Sequence, residues 1–341
     1  MSTKQKFVWI VLICISYACN PAKEMKTTGS IERLDPAFDS IMSSDAKIEI
    51  IARDLVWSEG PLWVESEKML LFSDVPQNIV YKWTEEKGME KYLTPSGYTG
   101  SRKGPFEGSN GLLLDDKGNL ILCQHGDRRL GMMLAPLNAP KSEFKSIADN
   151  FNGKRFNSPN DAVFRNSEFY FTDPPYGLEK QMKDPNKEIP FQGVYRVAAN
   201  GTVSLLTDSL SLPNGIAFSP EGKYLFVANS DPLKAIWYRF TVNDSVSPEG
   251  ARSVTLTDGT LFYNATSLVA TEKGLPDGLK IDGQGNIFAS GPGGVFIFNQ
   301  EAKLLGKIKL PDPASNCALS TDEKTLFVTN DMYVLRIKMR K

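Results

Sequence analysis

One short pattern returns six times along this 341-residue chain. A polar, oxygen-bearing residue opens an apolar strand, a tight Gly, Asp or Ser turn follows, and a second apolar strand runs back. The openings are Glu59, Asn110, Asn160, Asn214, Asp277 and Asn316, at steps of 51, 50, 54, 63 and 39 residues. Third strands are legible at 194–197, 235–240 and 295–298, and fourth strands at 203–206 and 253–256. A period of about 40 to 50 residues holding four strands is the signature of a β-propeller blade, so six units predict an all-β, six-bladed propeller over residues 45–341. The inner strands are nearly continuous apolar runs, as expected where blades stack on both faces of each sheet. The last unit stops after three strands; the run at 48–52 is expected to supply its outer strand, closing the ring and protecting the edges of an open sheet. There is no Trp-Asp dipeptide and no kelch-type Gly-Gly pair at fixed spacing, which argues against the common scaffold propellers.

In a propeller each opening residue enters the innermost strand of its blade, so all six face one axial channel. The set is two carboxylates and four amides, with no thiol or imidazole. Oxygen donors of this kind select a hard cation, calcium above all, while zinc sites lean on His and Cys. Asn and Asp also serve the turn that enters a strand, and for Asn110 and Asn316 that role competes with metal binding. It is a poor account of Glu59, which without a partner would be a charge in a narrow channel, and of Asp277, which would repel it. Hairpin geometry returns the end of each second strand to the same mouth. This places Asp74 opposite Glu59, His125 opposite Asn110, Asp173 opposite Asn160 and Asn229 opposite Asn214. Gly291, opposite Asp277, leaves room for a ligand.

The chain termini and the composition bound the setting. Lys+Arg number 39 against 40 Asp+Glu, a net charge of −1, so no basic field exists to attract nucleic acid. Lys4 and Lys6, an apolar run at 7–15 and Ala18-Cys19 read as an export signal, and the run is too short to span a bilayer as a helix. Residues 1–18 are therefore expected to be a signal peptide of lipoprotein type with Cys19 as the lipid acceptor. An ordinary secretory peptide cut nearby is the alternative. Residues 19–44 are expected to be a flexible tether, and the protein to be periplasmic or anchored to the outer membrane of a bacterium, touching membrane only through the lipid. Cys123 and Cys317 are expected to be buried free thiols.

Ser58-Glu-Gly-Pro-Leu-Trp63, Arg155-Phe-Asn-Ser-Pro-Asn-Asp161, Phe171-Thr-Asp-Pro-Pro-Tyr-Gly-Leu178, Leu212-Pro-Asn-Gly-Ile216 and Pro276-Asp-Gly-Leu279 occur in that order. Together they resemble the family of senescence marker protein, gluconolactonase and luciferin-regenerating enzyme over residues 45–341. Gln124-His-Gly-Asp-Arg-Arg129 and Asn157-Ser-Pro-Asn160 place the resemblance in the bacterial gluconolactonase-like branch. It implies that Glu59, Asn160, Asn214 and Asp277 hold one divalent cation in the channel. A substrate-contacting Arg of the animal branch falls at Ser158 here and is not carried over. The implied activity is metal-dependent opening of a sugar lactone, the metal polarising the carbonyl and activating water. Calcium is the expected ion, with magnesium, manganese or zinc as alternatives. Asp277 and His125 are the candidate catalytic groups, the latter for its unperturbed pKa near 6.5, although a structural hydrogen bond is an equal account of a lone His. Asn110, Arg155 and Tyr176 are candidate substrate contacts, with a solvated loop charge an equal account of Arg155; Arg128 and Arg129 are expected at the surface, and Trp57, Trp63 and Trp237 in the core. A phosphotriesterase or arylesterase on the same site, and a non-catalytic carbohydrate-binding propeller with structural calcium, are the rival functions.

Overall fold

A computed structural model describes residues 25–101, 107–248, 250 and 252–340. Six antiparallel sheets follow one another along the chain. Blade I covers 58–93, blade II 109–148, blade III 162–207, blade IV 213–264, blade V 279–309 and blade VI 314–338. The inner strands, Ser58–Val64, Ser109–Leu114, Ala162–Arg165, Pro213–Phe218, Leu279–Ile281 and Ala314–Leu319, begin within two residues of the repeat openings read from the sequence. Ile48–Ala52 pairs with Tyr333–Lys338, Ile48 opposite Ile337 and Ile50 opposite Leu335, and completes blade VI as expected.

The near-continuous apolar strands explain the stacking. Each of the six seams between neighbouring blades holds one buried apolar cluster. Val64, Leu71, Leu112 and Leu122 fill the seam between blades I and II, while Phe226, Trp237, Phe296 and Phe298 fill that between IV and V. At about 1.5–3 kcal/mol for each large apolar side chain removed from water, these seams supply the main drive for ring assembly. Nearer the axis a relay of hydroxyls fastens blade to blade. Ser73 donates to the Asn110 carbonyl at 2.9 Å, Thr172 to the Asn214 carbonyl at 2.6 Å and Ser230 to the Pro276 carbonyl. Ser290 continues to the Ser315 carbonyl at 2.8 Å and Ser315 to the Ser58 carbonyl at 2.6 Å, while blades II and III are joined by the Gly111 N–H on the Asn160 carbonyl at 2.8 Å.

Glycine follows the ring residue in blades I, II, IV and V, and the close approach of adjacent inner strands requires it. A Cβ at Gly60, whose φ is +51°, would lie 2.1 Å from the Asn110 carbonyl oxygen, and one at Gly215 would lie 2.3 Å from that of Asp277. Gly60→Ala is expected to lower the unfolding free energy by about 2–4 kcal/mol, combining left-handed backbone strain with the clash, and the urea midpoint reads it.

The expected tether is corrected over its described part. Ser30–Arg33 adds a fifth strand outside Leu304–Lys309 of blade V, and Pro36–Ser40 forms a 3-10 turn. Phe38, Ile41 and Met42 are buried in the seam between blades V and VI. The physical reason is that this segment carries enough apolar surface to cover an edge that would otherwise be exposed. Signal residues 1–18 and Cys19 lie outside the described residues. Among those described, no helix is long and apolar enough to cross a membrane, and Cys123 and Cys317 are buried free thiols as expected.

Candidate active site

Four of the six ring residues sit at bulges. In blades I, II, IV and VI the register between first and second strands slips at the start of the inner strand, at Glu59/Leu62, Ser109/Leu112, Pro213/Ile216 and Ala314/Asn316. A bulge re-aims a side chain that a regular strand would direct into a seam. Glu59, Asn110 and Asn214, from such bulges, and Asn160 and Asp277, from the segments just before their inner strands, line one cavity of about 480 Å³ at the channel mouth, shared with His125 and Tyr176. Asn316 stands outside that lining. Its Oδ1 accepts from the Cys317 N–H at 2.8 Å and from Lys280 Nζ at 3.3 Å.

Several of the cavity's polar atoms have no partner. Asn110 Oδ1, Asn214 Oδ1 and Asp277 Oδ1 are buried without a hydrogen bond, as are both ring nitrogens of His125. Asn214 is oriented by its own amide, which donates to Ser230 Oγ at 3.0 Å and leaves the oxygen to the cavity. Burial pushes the Glu59 carboxyl up to about 8, against the Gly60 N–H, and the nearby Asp161 carboxylate adds to the rise. Asp277 is raised well above the ordinary range by burial, then by Glu59 and Asp161. Among the described lining residues none is Lys or Arg.

Orphaned buried polar atoms are rare in native proteins and call for a ligand, water or ion. Two mutually repelling carboxylates and amide oxygens directed at one space fit an oxygen-bound divalent cation. The set is poor in carboxylates: among the described residues no three His, Cys, Asp or Glu side chains group for metal binding. Its donors are mostly amides, which agrees with a hard cation and disfavours zinc.

Each residue singled out from the sequence has a definite place. Tyr176 lines the cavity; burial, then Asp277, raises its phenol so that it stays protonated at neutral pH. His125 lines it too, but burial lowers its pKa to about 3, so it is a neutral imidazole and not a group titrating near 6.5. Arg155 is corrected: it is exposed on the short hairpin 150–155, its Nη2 donating to the Asp127 carbonyl at 3.0 Å, away from the cavity. Arg128 is buried rather than at the surface and donates to the Phe156 carbonyl at 2.6 Å and the Asn186 carbonyl at 3.0 Å. Arg129 is half-buried against Gln124 and Asp127.

Of the residues expected at the second-strand ends, Asp74 and Asn229 are displaced by one, while Asp173 keeps the register that places it opposite Asn160. Asp74 pairs with Ser58 rather than Glu59, and its carboxylate accepts the Val56 and Trp57 N–H groups. Asp173 does the same for Asn157 and Ser158, and Asn229 for Leu212. These side chains clamp the loop entering each inner strand, and the following residues, Val75, His125 and Ser230, reach the cavity. Trp237 is core as expected, and half-buried Trp63 stacks on Phe327 across a seam. Trp57 is not core: it lines the cavity, two residues before Glu59. Val269, Glu272 and Leu275 also line it, from the connection between blades IV and V. The one signal in the sequence for this wall was the long 63-residue step that ends at Asp277.

Comparison with known proteins agrees with this geometry. The model of the SMP-30/gluconolactonase/LRE-like region matches residues 57–331. A gluconolactonase of Zymomonas mobilis is 38% identical over 324 residues, covering 92% of this chain and 87% of that protein. The solved structure of a gluconolactonase from Xanthomonas campestris superposes with a TM-score of 0.78 at 26% identity, covering 94% of this chain and 99% of its own. Luciferin-regenerating enzyme shares the fold with a TM-score of 0.64 at 14% identity, covering 91% and 95%. Repeat, ring and match together place the chain in the SMP-30/gluconolactonase/LRE-like family.

Proposed function

We propose that the protein is a lactonase: a hydrolase that opens the ester ring of a sugar lactone at the channel mouth, with one divalent cation, calcium by the donor chemistry. The observation that carries this reading is the set of buried, partnerless oxygens of Asn110, Asn214 and Asp277 sharing one cavity with Glu59 and Asn160. The relation to the gluconolactonase at 38% identity supports the reaction class. Glu59, Asn160, Asn214 and Asp277 would hold the ion, which supplies electrophilic polarisation of an ester carbonyl. Asp277 takes the proton of the attacking water and returns it to the ring oxygen as the ester C–O bond breaks. Neutral His125 donates from one nitrogen and accepts at the other, which suits a hydroxyl of the substrate. Asn110 and the Tyr176 phenol offer further hydrogen bonds, and Trp57 a flat apolar wall for the C–H face of a ring. The apolar run and Ala18-Cys19 support export and lipid anchoring.

A second reading has one specific observation in its favour. Trp57, Val75, Val269, Leu275 and Pro313 make much of the wall apolar, which suits an aryl ester or phosphotriester. The deciding experiment is proton release from aldonolactones, phenyl acetate and a dialkyl aryl phosphate by chelator-stripped protein, with and without added calcium, magnesium or manganese. Metal-dependent turnover of a lactone is the expected result. Turnover confined to the aryl substrates would replace lactonase by the second reading, and metal uptake with no turnover would leave a carbohydrate-binding propeller.

A further inference from the structure

In blade III the position that is glycine in four other blades is Asp161. Blade III thus carries a carboxylate at a position where four other blades carry no side chain, directly after the ring residue Asn160 and outside the cavity lining. The carboxylate is 3% exposed; its Oδ1 accepts from the Ala162 N–H at 2.9 Å, and its Oδ2 from Asn316 Nδ2 at 3.4 Å. A buried anion of this kind needs a counter-charge. Among the described residues its one ion pair is with Lys280, whose Nζ lies 3.6 Å from Oδ2. Lys280 belongs to the inner strand of blade V, three residues beyond Asp277. Its Nζ is also 3.1 Å from the Leu279 carbonyl and 3.3 Å from Asn316 Oδ1. Asn316 is thus held between the two charges, and its amide packs so closely on Gly278 that a Cβ there would lie 1.9 Å from its Cγ. Buried Cys123 and Cys317 flank the group, and both feel Asp161 and Lys280. The Asp161 charge also reaches Glu59 and Asp277.

Resting on the reading of the cavity as a divalent-cation site, we infer that Lys280 is the channel's built-in counter-ion: it neutralises Asp161 so that the axial carboxylates present two uncompensated negative charges to one divalent ion. Of the three buried carboxylates Glu59, Asp161 and Asp277, Asp161 is the one ion-paired to Lys280, while Glu272 on the cavity wall has Lys307 beside it. The side chain of Lys280 is 30% exposed, so its charge is partly solvated while that of Asp161 is enclosed. Lys280 acts through Asp161 and Asn316, and is a positioning and charge-setting residue for the site above it.

The count makes opposed predictions for two charge-removing variants. Calcium chloride is titrated calorimetrically into chelator-stripped protein, with thermal unfolding recorded in chelator for each variant. Lys280→Met should bind calcium about tenfold more tightly and Asp161→Asn about tenfold more weakly, the effect of one unit charge at close range in a partly desolvated channel. The double variant, with the original count restored, should return to within about threefold of wild type, and Lys280→Arg should match wild type. A Lys280→Met protein that binds calcium no more tightly, or a double variant that stays as weak as Asp161→Asn, overturns the role. The Asp161→Asn arm tests the same count with Lys280 in place, should Lys280→Met not fold. Wild-type protein that takes up no divalent ion overturns the cation-site reading itself, and the counter-ion role with it.

Discussion

Replacing Asp277 by Asn is expected to lower kcat/KM for a lactone by about a thousandfold, roughly 4 kcal/mol of transition-state stabilisation, while leaving the metal-free protein at least as stable as wild type. The substitution keeps shape and an oxygen donor but removes a charge. At this position the charge is destabilising for the empty fold, since burial and the neighbouring Glu59 and Asp161 carboxylates all oppose ionisation. The same charge serves the reaction, through the cation and through proton transfer from water. Stability and catalysis should therefore move in opposite directions. Steady-state kinetics and thermal unfolding in chelator, on the same preparation, measure both. A variant that retains wild-type turnover would remove Asp277 from the mechanism, and one that simply fails to fold in chelator would contradict the electrostatic account.

The second large effect is on pH-dependent stability. In chelator, the unfolding free energy should fall between about pH 5 and pH 8; in saturating calcium most of that fall should vanish. The sign follows from linkage. Glu59 rises from its ordinary 4.5 to about 8 in the folded chain, and Asp277 rises with it, so the folded state holds protons that the unfolded state has released. Stability from such groups is fully present below the unfolded pKa and is lost as pH climbs through the folded value, at about 1.4 kcal/mol per pH unit for each excess proton. Asp173, raised to about 7 by burial against the N–H groups of Asn157 and Ser158, contributes a fall of the same sign that calcium does not abolish. The diagnostic quantity is therefore the difference between the two profiles. At a hundredfold excess over Kd the ion should also stabilise the fold by about 2.7 kcal/mol. Parallel profiles with and without calcium would show that the axial carboxylates are not where the ion binds.

The residues that differ from sequence-based expectation share a cause. Arg155 lies five residues before Asn160 and reads as part of the same motif, yet the hairpin at 150–155 carries it away from the channel. Trp57 has the composition of a core residue and becomes a wall of the cavity. Asp74 faces Ser58 and not Glu59 because the bulge at Glu59/Leu62 breaks the regular pairing that the hairpin spacing predicts. Phe38, Ile41 and Met42 are too few and too irregularly spaced to announce an element, and they acquire a seam only once blades V and VI exist.

Six blades, the closing strand at 48–52, the channel-lining oxygens and the family were all determined by sequence. Each depends on a feature repeated along the chain, and six repeats of one strand pattern leave one way to bury apolar strands on both faces. Tertiary structure decided which of the six openings share the cavity, that His125 is neutral, and that Asp161 has its counter-charge on blade V. Those outcomes depend on burial and on distances between residues far apart in the chain, such as Asp161 and Lys280. Electrostatic energies change steeply with both, and neither quantity is encoded in local spacing.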